Sequence, residues 1–376
     1  MSTQEDPQDG SLPPQASSVS KDATFLGWQE NSAGKMFPLY TIEKIGHAQY
    51  LSSVTENTLL ALRIPIPPTP SPYPGAGLPP WQNLGRDLVN PATAREAIEA
   101  ADLDYTVIKI PWKQIPENYR IAGTPDPWAV MRTDTGAVLG IMEKHHEPVQ
   151  NRDAFTFFDH LVAAGKATYI AAGTFGRGER IWILARLPGF INVQGKDVVG
   201  RHLLLSHSHT ANPATQIKVA PIRLVCYNTL TVAPEDRKDA LVRHSAHSAK
   251  DWQWADTLLG SALARYDQLD GTFNTMARRT ISDKQLLDYL RELVPDEGDE
   301  IDSAKNQAVR TACLESYESG RGAGLSPGTL WSAFNCVADY TDHKIDGYPL
   351  RRLKSSWFGE GEQLKLKAFH LAERMM

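Results

Sequence analysis

Between Lys166 and Val225 the chain carries eight cations, Lys166, Arg177, Arg180, Arg186, Lys196, Arg201, Lys218 and Arg223, against two acids, Glu179 and Asp197. That segment is +6 in a chain of −5, so the remainder carries −11. A basic stretch inside an acidic protein has the electrostatics of a polyanion-binding face. Strand periodicity sharpens the pattern. In Arg180-Ile-Trp-Ile-Leu-Ala-Arg186, the residues Ile181, Ile183 and Ala185 fall on one face, and Arg180, Trp182, Leu184 and Arg186 on the other. Gln216-Ile-Lys218-Val repeats the alternation. An aromatic ring between two guanidinium groups suits stacking of unpaired bases, with the charges on the phosphates. On this reading Arg177, Arg180, Arg186, Lys196, Arg201, Lys218 and Arg223 contact phosphates, while Trp182 and Phe175 stack bases. The same spacing also fits a Trp182 packed beneath the C-terminal helices with the arginines at its rim.

Other chemistry is weakly signalled. Gly173-Thr-Phe-Gly176-Arg-Gly178 has the glycines of a phosphate loop. It lacks the Gly-Lys-Ser/Thr ending and joins two strand-like segments, which predicts a hairpin turn with Arg177 at its tip. His207-x-His209 puts two imidazoles on one strand face, but no cysteine or carboxylate stands beside them to complete a metal site. The acidic run Asp296–Asp302 lacks the spacing of a calcium loop and reads as a connection between helices. No Gly-x-Ser-x-Gly elbow is present. No catalytic residue, metal or cofactor is assigned.

The elements that must hold these residues follow from local pattern. Residues 1–22 are polar and rich in Pro, Ser and Gln, which predicts a disordered tail. A small element with a hairpin around Asn31–Gly34 spans 23–64. Eight prolines in the sixteen residues from Pro65 to Pro80 exclude helix and central strand, and predict a semi-rigid linker over 65–85. Asn90-Pro91 before ATAREAIEAAD reads as a capped helix start. TVIKI reads as a strand, WAVMRTDTGAVLGIME as a hairpin about Asp134-Thr135-Gly136, and NRDAFTFFDHLVAAG as a helix ending at Gly165. Three strands follow in ATYIAAGTF, ERIWILARLP and HLLLSHS, then a fourth that breaks at Pro221. Beyond about residue 235 the spacing is helical throughout. The expected class is α+β: a central antiparallel sheet with helices over 86–235, then an all-helical C-terminal region over 236–376.

Composition narrows the class further. With 376 residues and 22% charged residues, the chain can bury a real core and is neither a coiled coil nor a disordered acidic chain. Cys226, Cys313 and Cys336 are too few and scattered for a disulfide framework, so reduced thiols are expected. No run reaches the roughly 18 apolar residues of a membrane span, and the N-terminus lacks a secretory pattern. The sequence predicts a cytoplasmic protein with no membrane partner.

Several segments together resemble a known family. DLDYTVIKIPW (102–112), the stretch 130–161, GTFGRGERIWILARLP (173–188), APIRLVCYNTL (220–230) and GTLWSAFNCVADYTDHK (328–344) are similar to the phage- and plasmid-related proteins grouped as domain of unknown function 932. The resemblance covers about residues 86–374. One departure stands at Ser208-His209-Thr210-Ala211-Asn212, where the family tends to a His-Asp-Gly-Ser type of turn. The resemblance implies a protein of a phage, prophage or plasmid. Such elements commonly carry single-strand annealing proteins that act as oligomers. The leading expectation is therefore a non-catalytic protein that binds or anneals single-stranded DNA in recombination or replication, as a homo-oligomer. Two alternatives are an interaction protein that antagonises host defence and an enzyme acting on nucleic acid.

Overall fold

The computed structural model describes residues 23–30, 36–42, 79–81, 84–88, 91–111, 114, 128–142, 147–210, 215–234, 241–242, 249–296 and 300–376. The expected tail over 1–22, and the linker up to residue 78, lie outside these. The chain divides into two compact units, Met1–Pro68 and Thr69–Met376. In the first, β1 (Ala23–Glu30) and β2 (Met36–Ile42) form an antiparallel hairpin.

The second unit starts with the short strand β3 (Gly85–Asp87) and helix α1 (Ala94–Ala100). Asn90 lies outside the described residues, and the helix starts later than its sequence signal: the N-cap is Thr93, whose hydroxyl accepts from the Glu96 amide. Strands β4 (Val107–Pro111), β5 (Trp128–Arg132) and β6 (Val138–Met142) make a separate antiparallel sheet. The β5–β6 turn contains Gly136 at φ +67, a left-handed conformation that glycine adopts without strain. The expected helix over 151–165 divides into two 3-10 turns and the short helix α2 (Asp159–Ala163).

The main sheet contains β7 (Thr168–Phe175), β8 (Arg180–Val193), β9 (Asp197–Ser208), β10 (Thr215–Val219), β11 (Ile222–Arg223) and β12 (Leu241–Val242). Its order is β12-β10-β9-β8-β7-β3, with β11 also on β9 and every pairing antiparallel. The helices α3 (Ala249–Arg278), α4 (Asp283–Leu293), α5 (Glu300–Ser319), α6 (Leu330–Asp339), α7 (Pro349–Phe358) and α8 (Glu360–Arg374) follow, with a π turn at Tyr340–Lys344 after α6. The architecture is the expected α+β class.

Helices cover both faces of this sheet. On one, Ile181, Ile183, Ala185, Leu203, Leu205 and Ile217 meet a row on α3, Ala255, Leu258, Ala262, Tyr266, Leu269 and Phe273. That row keeps the three- and four-residue spacing of a buried helix stripe. On the other face Phe175, Trp182, Leu184 and Leu204 pack with Leu353 and Trp357 of α7 and with Trp81. The ring of Trp182 lies edge-to-face with Trp357, 5.1 Å between centroids. It rests on Gly85 and Gly173, where any Cβ would meet the indole at 2.5 Å.

Buried ion pairs and the hydrogen bonds they share fasten the helices to the sheet. Arg223 donates to Asp197 at 2.6 Å, and Trp331 Nε1 donates to the same carboxylate at 2.9 Å. Lys365 Nζ, wholly buried, donates to Asp342 Oδ1 at 2.7 Å and to Ser356 Oγ at 2.6 Å. The carbonyl of Thr229 accepts its third hydrogen, so the ammonium is fully satisfied.

Candidate nucleic-acid interface

The residues assigned to the site in the sequence separate into three groups once their neighbours are placed. In the first, Trp182, Phe175 and Arg223 are buried. Trp182 and Phe175 are core side chains with no face open to a base, which corrects the stacking role expected of them. Arg223 is neutralised by Asp197 and also donates to the carbonyl of Gly322 at 2.8 Å, so it cannot meet a phosphate. The face alternation read from Arg180–Arg186 holds, but both faces are filled, and of the two arrangements open in the sequence the second is the one formed.

The second group is committed to partners, half-covered except for the exposed Arg177. Lys218 Nζ donates to Glu362 Oε1 at 2.6 Å and to the Trp357 carbonyl at 2.9 Å. Burial lowers its pKa, against the pull of Glu362. Arg180 lies 4.6 Å over the Phe358 ring and donates to Ser206 Oγ and Gln216 Oε1; burial lowers its pKa as well. Arg201 stacks at 5.6 Å on Tyr266, with Asp267 at 3.7 Å. Arg177 is at the tip of the β7–β8 turn, as expected, where it pairs with Glu179 at 3.1 Å and donates to the Val138 carbonyl at 2.7 Å.

Arg186 and Lys196 form the third group. Both are exposed, and among the described residues neither makes an ion pair. Their setting is an arm. Strand β7 leaves β8 at the pair Thr168–Arg186, whereas β8 and β9 stay paired out to Val193–Asp197. One side of this arm sends Ile191, Val193 and Val199 into the core. The other side leaves Arg186, Pro188, Phe190 and Asn192 exposed. Phe190, at 57%, is the most exposed large hydrophobic residue among those described.

A bulge explains the exposure. Arg186 pairs with His202 and Phe190 with Gly200, so four steps along β8 face two along β9. Pro188 and Gly189 (φ +79) absorb the excess. Because their partners are two apart on β9, Arg186 and Phe190 project from the same face, roughly 7 Å apart. The turn beyond has Gln194 at φ +53 and Gly195 at φ +69, the pattern of a tight hairpin turn, and it presents Lys196 at the tip. Between Arg186 and Gly200 the one acid is Asp197, which is buried and paired. The sequence signal for Phe190 was Pro188-Gly189 inside a strand, a turn dipeptide where alternation alone ends the element.

His207 and His209 are buried and held by neighbouring side chains. His209 Nε2 lies 2.7 Å from Asn151 Oδ1, and His207 Nδ1 lies 3.0 Å from Thr215 Oγ1. Burial lowers the pKa of His209 to about 4, and likewise that of His202. Among the described residues no group of three or more His, Cys, Asp or Glu is placed to hold a metal ion. No helix among them is long and apolar enough to cross a membrane.

A family model described as Domain of unknown function (DUF932) matches residues 138–363, more than half of the chain. No curated protein and no solved structure matches. The matched span begins at β6, contains the whole arm and ends in α8.

Proposed function

The chain belongs to the family described as domain of unknown function DUF932, and on that premise we propose that it binds single-stranded DNA on the outer face of the β8–β9 arm. The observation that carries this reading is an exposed aromatic ring, Phe190, beside an unpaired guanidinium, Arg186, on a strand face that presents no acid. Unpaired bases stack on an aromatic face whatever their sequence, while Arg186 and Lys196 meet phosphates. Bases in a duplex are already stacked and are not available to Phe190. The role is binding or annealing, with several copies on one strand, in recombination or replication of a phage or plasmid. The test compares a labelled oligothymidine with a duplex of equal length at low salt by fluorescence anisotropy. The single strand should bind more tightly than the duplex. Equal affinity, or no binding to either, contradicts the proposal.

A further inference from the structure

Only two aromatic residues among those described are more than a third exposed, Phe190 and Tyr348. Tyr348 is the N-cap of α7, a helix that buries Leu353, Ser356 and Trp357. Beyond Tyr348 and its neighbour Pro349, the exposed positions of α7 are Arg351 and Lys354, which follow Tyr348 at three-residue intervals, the spacing that keeps side chains on one side of a helix. Neither cation makes an ion pair or side-chain hydrogen bond with a described residue. Asp346 and Glu360 share with Arg351 a depression of about 480 Å³, and no ion pair joins them to it. Arg352 differs: it is tied to the carbonyls of Ile345 and Gly347.

Helix α7 covers the sheet face that carries Trp182 and Leu184. The β9 partners of Trp182, Leu184, Arg186 and Phe190 are Ser206, Leu204, His202 and Gly200, all of one parity. The bare face of the arm and the outer surface of α7 are therefore on the same side of the sheet. Leu204 lies under α7 and Gly200 beside Phe190 on the neighbouring strand, four residues apart, or about 13 Å along the strand.

We infer that Tyr348, Arg351 and Lys354 are a second contact for the same single strand, which runs from the arm across α7. The inference rests on the proposed DNA binding by the arm and extends its footprint. Both patches combine an exposed ring with unneutralised cations, the two elements that hold a single strand without sequence preference. A single strand engages both kinds of group at once, its phosphates by charge and its bases by stacking.

The test measures anisotropy over a salt series on the full chain. It uses an oligothymidine of about 20 nucleotides, longer than the roughly 4–16 that a small single-strand-binding fold covers. Wild type is compared with the triple variant Tyr348→Ala, Arg351→Ala, Lys354→Ala and with Arg186→Ala, Phe190→Ala. The triple variant should bind at least about five-fold more weakly, from the loss of one stacked base. Its log–log salt slope should flatten by about 1.4, from about 0.7 per phosphate contact. Circular dichroism checks the fold, and the variant Arg351→Glu, Lys354→Glu, which keeps the helix formers, repeats the measurement. Unchanged affinity and slope in folded α7 variants overturn the inference. If the arm variant still loses affinity in that case, the arm proposal stands. If the α7 variants lose affinity and the arm variant does not, the arm assignment fails and the α7 contact survives. No binding by wild type at low salt overturns both.

Discussion

Trp182 and Phe190 lie eight residues apart on one strand and have opposite fates. Trp182 fills the space between two glycines and Trp357, so Trp182→Ala should lower stability by about 3–5 kcal/mol, the cost of a buried large aromatic. Phe190 is more than half exposed, so Phe190→Ala should leave the melting temperature almost unchanged while weakening single-strand binding. Thermal melting and anisotropy on the two variants decide this. A stable Trp182→Ala protein that has lost DNA binding would return the site to the sheet face. Arg180 and Arg186 divide in the same way, one engaged on Phe358 and the other open to solvent.

At the scale of elements, strand β9 and the residue directly after it carry two histidines that burial keeps neutral. His202 and His209 both have their pKa lowered to about 4, from an ordinary 6.5. The unfolded chain takes up these protons as the pH falls through 6.5, and the folded chain does so only near 4. The unfolded state therefore binds more protons in that window, and stability rises with pH between about 4 and 6.5 and is flat above it. At pH 5 the loss relative to pH 7 is on the order of 2 kcal/mol for each histidine. Denaturant titrations at the two pH values, repeated on His202→Gln, measure it; identical midpoints in wild type would contradict the buried neutral assignment. Much of the sheet is legible in the sequence because its signals are local. The alternation in Arg180–Arg186, the turn at Gly176–Gly178 and the break at Pro221 each stand within a few residues. What covers the second face is not local. Trp357 reaches Trp182 from 175 positions later, and nothing in the strand states whether its basic face meets water or a helix. The arm was hidden for the opposite reason, since Pro188-Gly189 interrupts the alternation that would have continued the strand to Phe190.

For the whole molecule, the sheet and the C-terminal helices belong to one compact unit, joined where Trp331 and the Gly322 carbonyl meet the Arg223–Asp197 pair and where Asp342 and Lys365 meet the backbone of Thr229. Removing one partner from a buried pair leaves an uncompensated charge, which typically costs 3–5 kcal/mol. Asp342→Ala should therefore lower the midpoint for helix and sheet signals together, in one transition; separate transitions would show that the helical region unfolds alone. The net charge of −5 opposes any polyanion at long range, so binding must come from the local cations of the arm and α7. The salt dependence of single-strand binding tests this most directly. With Arg186, Lys196, Arg351 and Lys354 on phosphates, the log–log slope should be near −2.8, from about −0.7 per contact, and Arg186→Ala, Lys196→Ala should bring it to about −1.4. A wild-type slope near zero, or a slope that the double variant leaves unchanged, would contradict the account.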